Sequence, residues 1–156
     1  MKNLYLLLAL LYFAPFTLYA QHKAQWKASA DSIKKETALI NTIFAADTVK
    51  IHVSVSACFG GEEYDVLLAK TKNRYMFWTT GAHGREENTQ SGTLAKEGFE
   101  SIKKLFIKGL SIDNGSMCTT SEHFTATALG QQAVFADYRC GADDYLDKLK
   151  KELGQE

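Results

Sequence analysis

Strict alternation of apolar and polar residues over positions 49–59 is the feature that most constrains the fold of this chain. Apolar residues occupy the odd positions from Val49 to Phe59, and polar residues occupy the even positions as far as Cys58. Because successive side chains of a strand point to opposite faces of a sheet, a period of two predicts a strand with one buried and one solvated side. The chain is therefore expected to build a sheet that is covered on one face.

Two further strands are predicted directly after this one. Gly60-Gly61 predicts a turn, the runs 64–71 and 74–80 predict strands, and Lys72-Asn73 predicts the tight turn between them. Three consecutive strands joined by short turns form an antiparallel meander. The polar, glycine-rich stretch 81–92 predicts a loop after the meander.

Three segments with helical spacing of apolar residues flank the strands. They cover residues 22–46, residues 93–110 and a last segment that begins at Asp143. The last segment has acidic residues at its start and lysines at its end, which the helix dipole favours. In the first segment the apolar stripe consists of Trp26, Ile33, Ile40 and Phe44.

A second hairpin determines which cysteines face each other. The alternating runs 118–127 and 131–140 flank Ala128-Leu129-Gly130, and we predict a three-residue loop there. Cys118 and Cys140 are then directly opposite each other, on the apolar face that also carries Phe124, Val134, Ala136 and Tyr138. In an oxidising compartment this placement predicts a Cys118–Cys140 disulfide. Two reduced thiols, or a bond from one of them to Cys58, are the alternatives.

The predicted fold class is α+β. An antiparallel sheet of about five strands, in the chain order α-β-β-β-α-β-β-α, is packed on one face by helices and carries one disulfide. We expect a single domain over residues 21–156, with an N-terminal helix at 21–46 and a sheet-and-helix core at 47–156. Phe77 and Trp78 are most simply core residues.

The first twenty residues predict where the protein is located. Lys2 precedes the uncharged run Leu4–Tyr19, and the small residue Ala20 follows, as in a secretory signal peptide that is cleaved after Ala20. The run has 16 residues, whereas crossing a bilayer takes about 20, and Pro15 interrupts its helix. We expect an exported protein, periplasmic or secreted, with no stable membrane insertion after cleavage. An uncleaved anchor is the alternative, because Leu18 stands where a small residue is usual.

Charge and motifs exclude several functional classes. Residues 1–20 contain one lysine and no acidic residue, so the remainder has 17 basic and 18 acidic side chains and a formal charge of −1. A nucleic-acid partner would require clustered positive charge, whereas the charged residues here are balanced and spread along the chain, so we expect no nucleic-acid partner. No phosphate loop or clustered metal-ligand motif is present, so we predict no cofactor and no metal. The expected partner is another protein or a small envelope ligand.

The candidate site lies where two turns of the meander meet. If Cys118 pairs with Cys140, Cys58 is left as an unpaired thiol in an exported protein. The turn after the first strand and the loop after the third lie at the same end of the sheet, so their polar side chains are expected to converge. The predicted binding residues are Phe59, Glu62, Glu63, His83, Arg85 and Glu86.

Several chemistries are compatible with this edge. Cys58 and His83 are the candidate catalytic residues of a thiol enzyme or small envelope hydrolase, because an adjacent imidazole activates a thiol. His83 with two glutamates could instead hold a divalent ion. Phe59 and Arg85 could anchor a protein partner, or the charges could simply solvate two loops. We favour a small exported cell-envelope binding or inhibitor-like module without catalytic activity.

Overall fold

In the residues that the structure describes, the protein has an α+β fold with a six-stranded antiparallel sheet and three helices. The computed structural model describes residues 30–57, 60–72, 74–83, 86–111, 120–138 and 145–155. The sheet and the chain from Glu36 onward belong to one compact unit, Glu36–Glu156. The other unit, Met1–Lys35, is described only at residues 30–35, which are helical. The predicted α+β class is confirmed, whereas the described residues contain six strands rather than about five.

The elements follow the order α-β-β-β-β-α-β-β-α. The helical residues 30–45 are α1, and the elements after it are β1 Thr48–Ala57, β2 Gly60–Lys70, β3 Tyr75–His83, β4 Glu86–Leu94, α2 Lys96–Gly109, β5 Ser121–Ala128, β6 Gln131–Asp137 and α3 Tyr145–Glu152. The strands lie in the spatial order β4-β3-β2-β1-β5-β6. Strand β1 is therefore central, paired with β2 on one side and β5 on the other.

The alternation in β1 has the predicted effect. Val49, Ile51 and Val53 are buried, whereas Lys50 is exposed and His52 is partly exposed. The buried side forms one apolar core with residues of the helices. Its packing is largely aromatic, with ring contacts Phe44–Phe99, Phe44–Phe106, Phe106–Phe124, Phe106–Phe135, Phe124–Phe135 and Phe135–Tyr145.

Strand β4 was not predicted, because the sequence indicated a loop over 81–92 and about five strands in all. Strand β3 extends to His83, and Glu86–Leu94 returns beside it. The segment lacks an apolar alternation because β4 is an edge strand, and Leu94 is its single buried residue among those with described side chains. Gly92 lies beneath Phe77, and a Cβ atom there would be 2.7 Å from the ring. A glycine that looks like a loop residue is therefore a packing requirement.

The hairpin of β5 and β6 has a different register from the predicted one. Its loop has two residues, Leu129 and Gly130, so that Ala128 pairs with Gln131. Both loop residues have positive φ, 53° and 70°, as type I′ hairpin turns require. Leucine is unusual in that conformation, which is why the sequence favoured a longer loop.

The one-residue shift changes which side chains are covered. Phe135 now shares the buried face with Phe124, while Val134 is 51% exposed, so the predicted apolar face of β6 was wrong. The register that placed Cys118 opposite Cys140 does not occur in the described strands. Both cysteines lie outside the described residues, and their disulfide stays a prediction.

The predicted signal peptide, residues 1–20, also lies outside the described residues. In the part of the chain that the structure describes, no helix is both long and apolar enough to cross a membrane.

Candidate functional site

A solvent-open cavity of about 330 Å³ lies on the helix-covered face of β2, β3 and β4, beside the end of α3. Two-residue periodicity and strand register place its sheet residues on this one face. Farther along the same face the residues are apolar and belong to the core. The strands contribute Glu62, Tyr64, Thr79, Gly81 and Gln90, and α3 with the turn after it contributes Lys150 and Gln155.

Gly81 makes room for the cavity beside a phenol ring. Gly81 and Tyr64 are directly paired on β3 and β2. A Cβ atom at Gly81 would lie 3.0 Å from Cδ2 of Tyr64, which is closer than ordinary van der Waals contact. Thr79, the next residue of β3 on this face, is buried and pairs with Gln90. The sheet thus presents two hydroxyl groups where its core rows present apolar side chains.

The turn after α3 brings Gln155 to these hydroxyl groups. The backbone N–H of Gly154 bonds to the carbonyl of Lys151, and the N–H of Gln155 bonds to that of Lys150. With Gly154 at φ 68°, these two bonds form a Schellman motif, in which glycine is favoured. The direction of the chain at Gln155 is therefore set by a specific helix end.

The side-chain amide of Gln155 is held at both of its polar atoms. Tyr64 donates its hydroxyl to Oε1, and Nε2 donates to Oγ1 of Thr79 at 2.8 Å. Thr79 directs its own hydroxyl toward the carbonyl of Gln90, at 3.5 Å, so its lone pairs are available to accept. This arrangement distinguishes the oxygen of the amide from its nitrogen.

An ion pair forms another wall of the cavity. Nζ of Lys150 lies 2.6 Å from Oε1 of Glu62, and both side chains are 26% exposed. The same ammonium group lies 5.5 Å from the centroid of the Tyr64 ring, within cation–π range. The cavity therefore offers a carboxylate and an ammonium group close to the two hydroxyl groups.

Burial alters the acidity of the phenol in this cavity. Desolvation raises the pKa of Tyr64 above its ordinary value, a hydrogen bond with Thr79 lowers it, and the Glu62 carboxylate raises it further. The net direction is upward. At neutral pH the hydroxyl therefore keeps its proton and acts as a donor.

The predicted site residues fall into three groups. Glu62 lines the cavity, whereas Glu63 lies one residue along β2 and so on the opposite face. The backbone positions of His83 and Glu86 continue the row of Glu62, because Glu62 pairs with His83 and His83 pairs with Glu86. Nothing is described of the side chains of His83 and Glu86, and Cys58, Phe59 and Arg85 lie outside the described residues.

Sequence reasoning missed six of the seven residues that line the cavity: Tyr64, Thr79, Gly81, Gln90, Lys150 and Gln155. Strand periodicity could have identified Tyr64 and Thr79. Tyr64 is two positions after Glu62 and lies on the same face of the sheet, and Thr79 is likewise two positions after Phe77. Gly154 after a lysine-rich helix was a helix-end signal for the turn that carries Gln155. No local pattern shows that this turn meets β2 and β3.

The opposite face of the sheet carries exposed apolar side chains. Trp78 is 39% exposed, so its predicted place in the core was wrong, whereas Phe77 is buried as predicted. Adjacent residues of a strand cannot both face the same layer. Trp78 pairs with the exposed Leu67, and the exposed Met76 lies two residues before it on the same face.

Polar residues lie beside this apolar group. On β1 and β2, Nδ1 of His52 lies 3.0 Å from Oδ1 of Asp65, and Nζ of Lys50 lies 3.7 Å from the same oxygen.

Among the side chains that the structure describes, no group of three or more His, Cys, Asp or Glu residues is arranged to hold a metal ion. A comparison with models of protein families finds none that matches this chain, and none of the curated proteins is significantly similar to it.

Proposed function

We propose that the protein is an exported, non-enzymatic binding module of the bacterial cell envelope and that the cavity beside Tyr64 is its ligand site. The observation that carries this proposal is the pair of hydroxyl groups, on Tyr64 and Thr79, that already bind both polar atoms of an amide. Preorganised polar groups of this kind supply orientation and specificity in small-molecule sites.

The size of the cavity favours a small polar ligand. Small-molecule sites typically enclose about 300–1,000 Å³, and this cavity, at about 330 Å³, is at the lower end of that range. Tyr64 and Thr79 bond to Gln155. Lys150 bonds to Glu62, and Thr79 bonds to an amide and a carbonyl rather than to a general base. These contacts support binding rather than catalysis.

The export part of the proposal rests on the sequence of residues 1–20. Intact-mass spectrometry of the protein recovered from the periplasm or medium tests this part, and we expect the mass of a chain that begins at Gln21. Alkylation before and after reduction then tests the proposed Cys118–Cys140 bond. A chain that retains residues 1–20 would refute cleavage.

A ligand screen tests the binding function. Free amino acids and simple amides are added at about 10 mM, and the unfolding temperature is followed. A ligand present at about 100 times its Kd stabilises the folded state by about 2.7 kcal/mol. We expect stabilisation of the unaltered protein and its loss in Thr79→Val.

Thr80→Val is the matched control, because Thr80 is the exposed neighbour of Thr79 on the opposite face of β3. Equal ligand responses in both valine variants would place the ligand elsewhere. The complete absence of ligand stabilisation would contradict the proposed function.

The competing hypothesis is a thiol enzyme or hydrolase that uses Cys58 and His83. The backbone pairing of His83 with the positions of Glu62 and Glu86 is the observation in its favour, since a carboxylate can orient an imidazole. A thiol enzyme predicts that Cys58 alkylates rapidly below neutral pH and that Cys58→Ser abolishes activity. Slow alkylation at that pH would count against thiol chemistry.

A further inference from the structure

We propose that the cavity binds a zwitterionic amino acid with a carboxamide side chain, of which L-glutamine is the simplest probe, and that Gln155 is an internal competitor for the amide position. This inference rests on the proposed function, because it specifies the ligand of the same cavity. The key juxtaposition is an amide-binding pair of hydroxyl groups beside an ion pair.

The amide position is defined by its present occupant. Tyr64 donates to the oxygen of the Gln155 amide, and Thr79 accepts from its nitrogen. A carboxylate in the same place would leave Thr79 without the N–H donor and would lie near Glu62. Sites built to hydrogen-bond a substrate N–H discriminate strongly against analogues that lack it. The position therefore favours glutamine over glutamate.

The two charges of the ion pair match the other end of such a ligand. Glu62 can accept hydrogen bonds from an α-ammonium group, and Lys150 can donate to an α-carboxylate. Both side chains line the cavity and are only partly buried, so they can exchange one mutual contact for two contacts with the ligand. Charge-assisted hydrogen bonds are stronger than neutral ones. An amide without charges is thus expected to bind more weakly than glutamine.

Gln155 must leave the amide position when the ligand enters. Gln155 directly follows Gly154, and its backbone N–H, not its side chain, takes part in the helix-end motif. A change of side-chain rotamer therefore vacates the position without unfolding α3. Its hydrogen bonds with Tyr64 and Thr79 hold it in place. The apparent affinity for the ligand is then its intrinsic affinity multiplied by the fraction of molecules in which Gln155 has left the position.

Calorimetric titration with L-glutamine tests this inference. We expect binding to the unaltered protein, binding about tenfold tighter to Gln155→Ala, and L-glutamate at least tenfold weaker than L-glutamine. Propionamide, which has the amide but neither charge, should also bind more weakly. Lys151→Ala is the control, because this exposed lysine precedes the turn and does not line the cavity.

The outcomes separate this inference from the proposed function. If L-glutamate or L-alanine binds as tightly as L-glutamine and Gln155→Ala has no effect, the ligand class is wrong but the cavity still binds. If no small polar probe binds to the unaltered protein or to Gln155→Ala, both proposals fail.

A second variant covers the case in which Gln155→Ala unfolds. Thr79→Val keeps Gln155 and the shape of the side chain but loses the acceptor for the amide N–H of both Gln155 and the ligand. The ratio of the affinities for L-glutamine and L-glutamate does not depend on how often Gln155 occupies the position, and it should fall at least fivefold in this variant. An unchanged ratio in a folded Thr79→Val protein would overturn the inference.

Discussion

Replacing Gly109 by alanine should destabilise the protein, although alanine is the better helix former. Gly109 is the last residue of α2, and a Cβ atom there would lie 2.5 Å from both Cγ and Cδ2 of Phe135. Helix propensity alone favours alanine by at most about 1 kcal/mol. Overpacking of a core costs about 1–3 kcal/mol. We expect a net loss of about 1–2 kcal/mol in the free energy of unfolding.

The clash is costly because Phe135 has no room to move. Its ring stacks on Phe124 at a centroid distance of 4.6 Å and meets Phe106 and Tyr145 edge-on at 5.3 and 5.4 Å. Cγ of Phe135 lies on the axis about which the ring rotates, so rotation of the ring leaves the 2.5 Å contact with Cγ in place.

Urea unfolding followed by circular dichroism measures the effect. With a slope of about 1.5 kcal/mol per molar urea, the midpoint should fall by roughly 1 M while the slope stays constant. Gly98→Ala is the control in the same helix, because the contact of its Cβ below 3.0 Å would be with Cδ1, a methyl end of Leu94, at 2.6 Å, while Cγ of Leu94 and Oε2 of Glu152 would lie at 3.3 and 3.5 Å. That variant should be neutral or slightly stabilised.

A double variant separates the clash from other effects of the substitution. Phe135→Ala removes Cγ and both Cδ atoms and should therefore reduce the cost of Gly109→Ala, so that the two changes are less than additive. If Gly109→Ala proves as stable as the unaltered protein, α2 does not approach β6 as closely as described, and the reasoning is refuted.

Three further predictions concern a phenol, a turn and one strand. The pKa of Tyr64 is raised in the folded protein, so the folded and unfolded states both keep the phenol proton below about pH 10. Above that pH the unfolded phenol loses its proton first, and the free energy of unfolding therefore falls as the pH rises toward the pKa of the folded state. Tyr64→Phe should flatten this decline in urea titrations at pH 9–11, and an identical decline in the variant would contradict the assigned cause. Leu129→Asn should stabilise the folded protein by about 1 kcal/mol in thermal unfolding, because Leu129 is 73% exposed at φ 53° and asparagine tolerates that conformation. Leu129→Val should destabilise it, because a β-branched residue does not tolerate that conformation. Phe77→Ala should lower the free energy of unfolding by about 3–5 kcal/mol and Trp78→Ala by clearly less, since Phe77 is buried and Trp78 is partly exposed. Equal losses in the two variants would mean that Trp78 is also covered.

The sequence predicted the elements in which one face is apolar and failed where that signal is weak. The alternation from Val49 identified the central strand, and helical spacing identified the segment that contains α2. Strand β4 was missed because an edge strand need not carry an apolar face, and the register of the last hairpin was missed because a leucine occupies a positive-φ position. Each error has a local physical cause, and neither alters the fold class.

The candidate site was less accessible to sequence reasoning. Glu62 was identified because strand order predicts which turns lie at the same end of a sheet. Gln155 could not be identified in this way, since its contacts with Tyr64 and Thr79 join segments far apart in the chain. Such contacts depend on how α3 docks, which apolar periodicity does not specify.

The central position of β1 has a consequence for the order in which the molecule folds. Strands β1 to β4 pair with their neighbours in sequence, so short loop closures suffice to form them. The pairing of Ile51 with Ala126 closes about half of the chain length and carries the larger entropic cost. We expect the first four strands to associate early and the arrival of β5 on the open edge of β1 to limit the folding rate. Substitutions at that seam should therefore slow folding, whereas those at the edge formed by β4 should mainly accelerate unfolding.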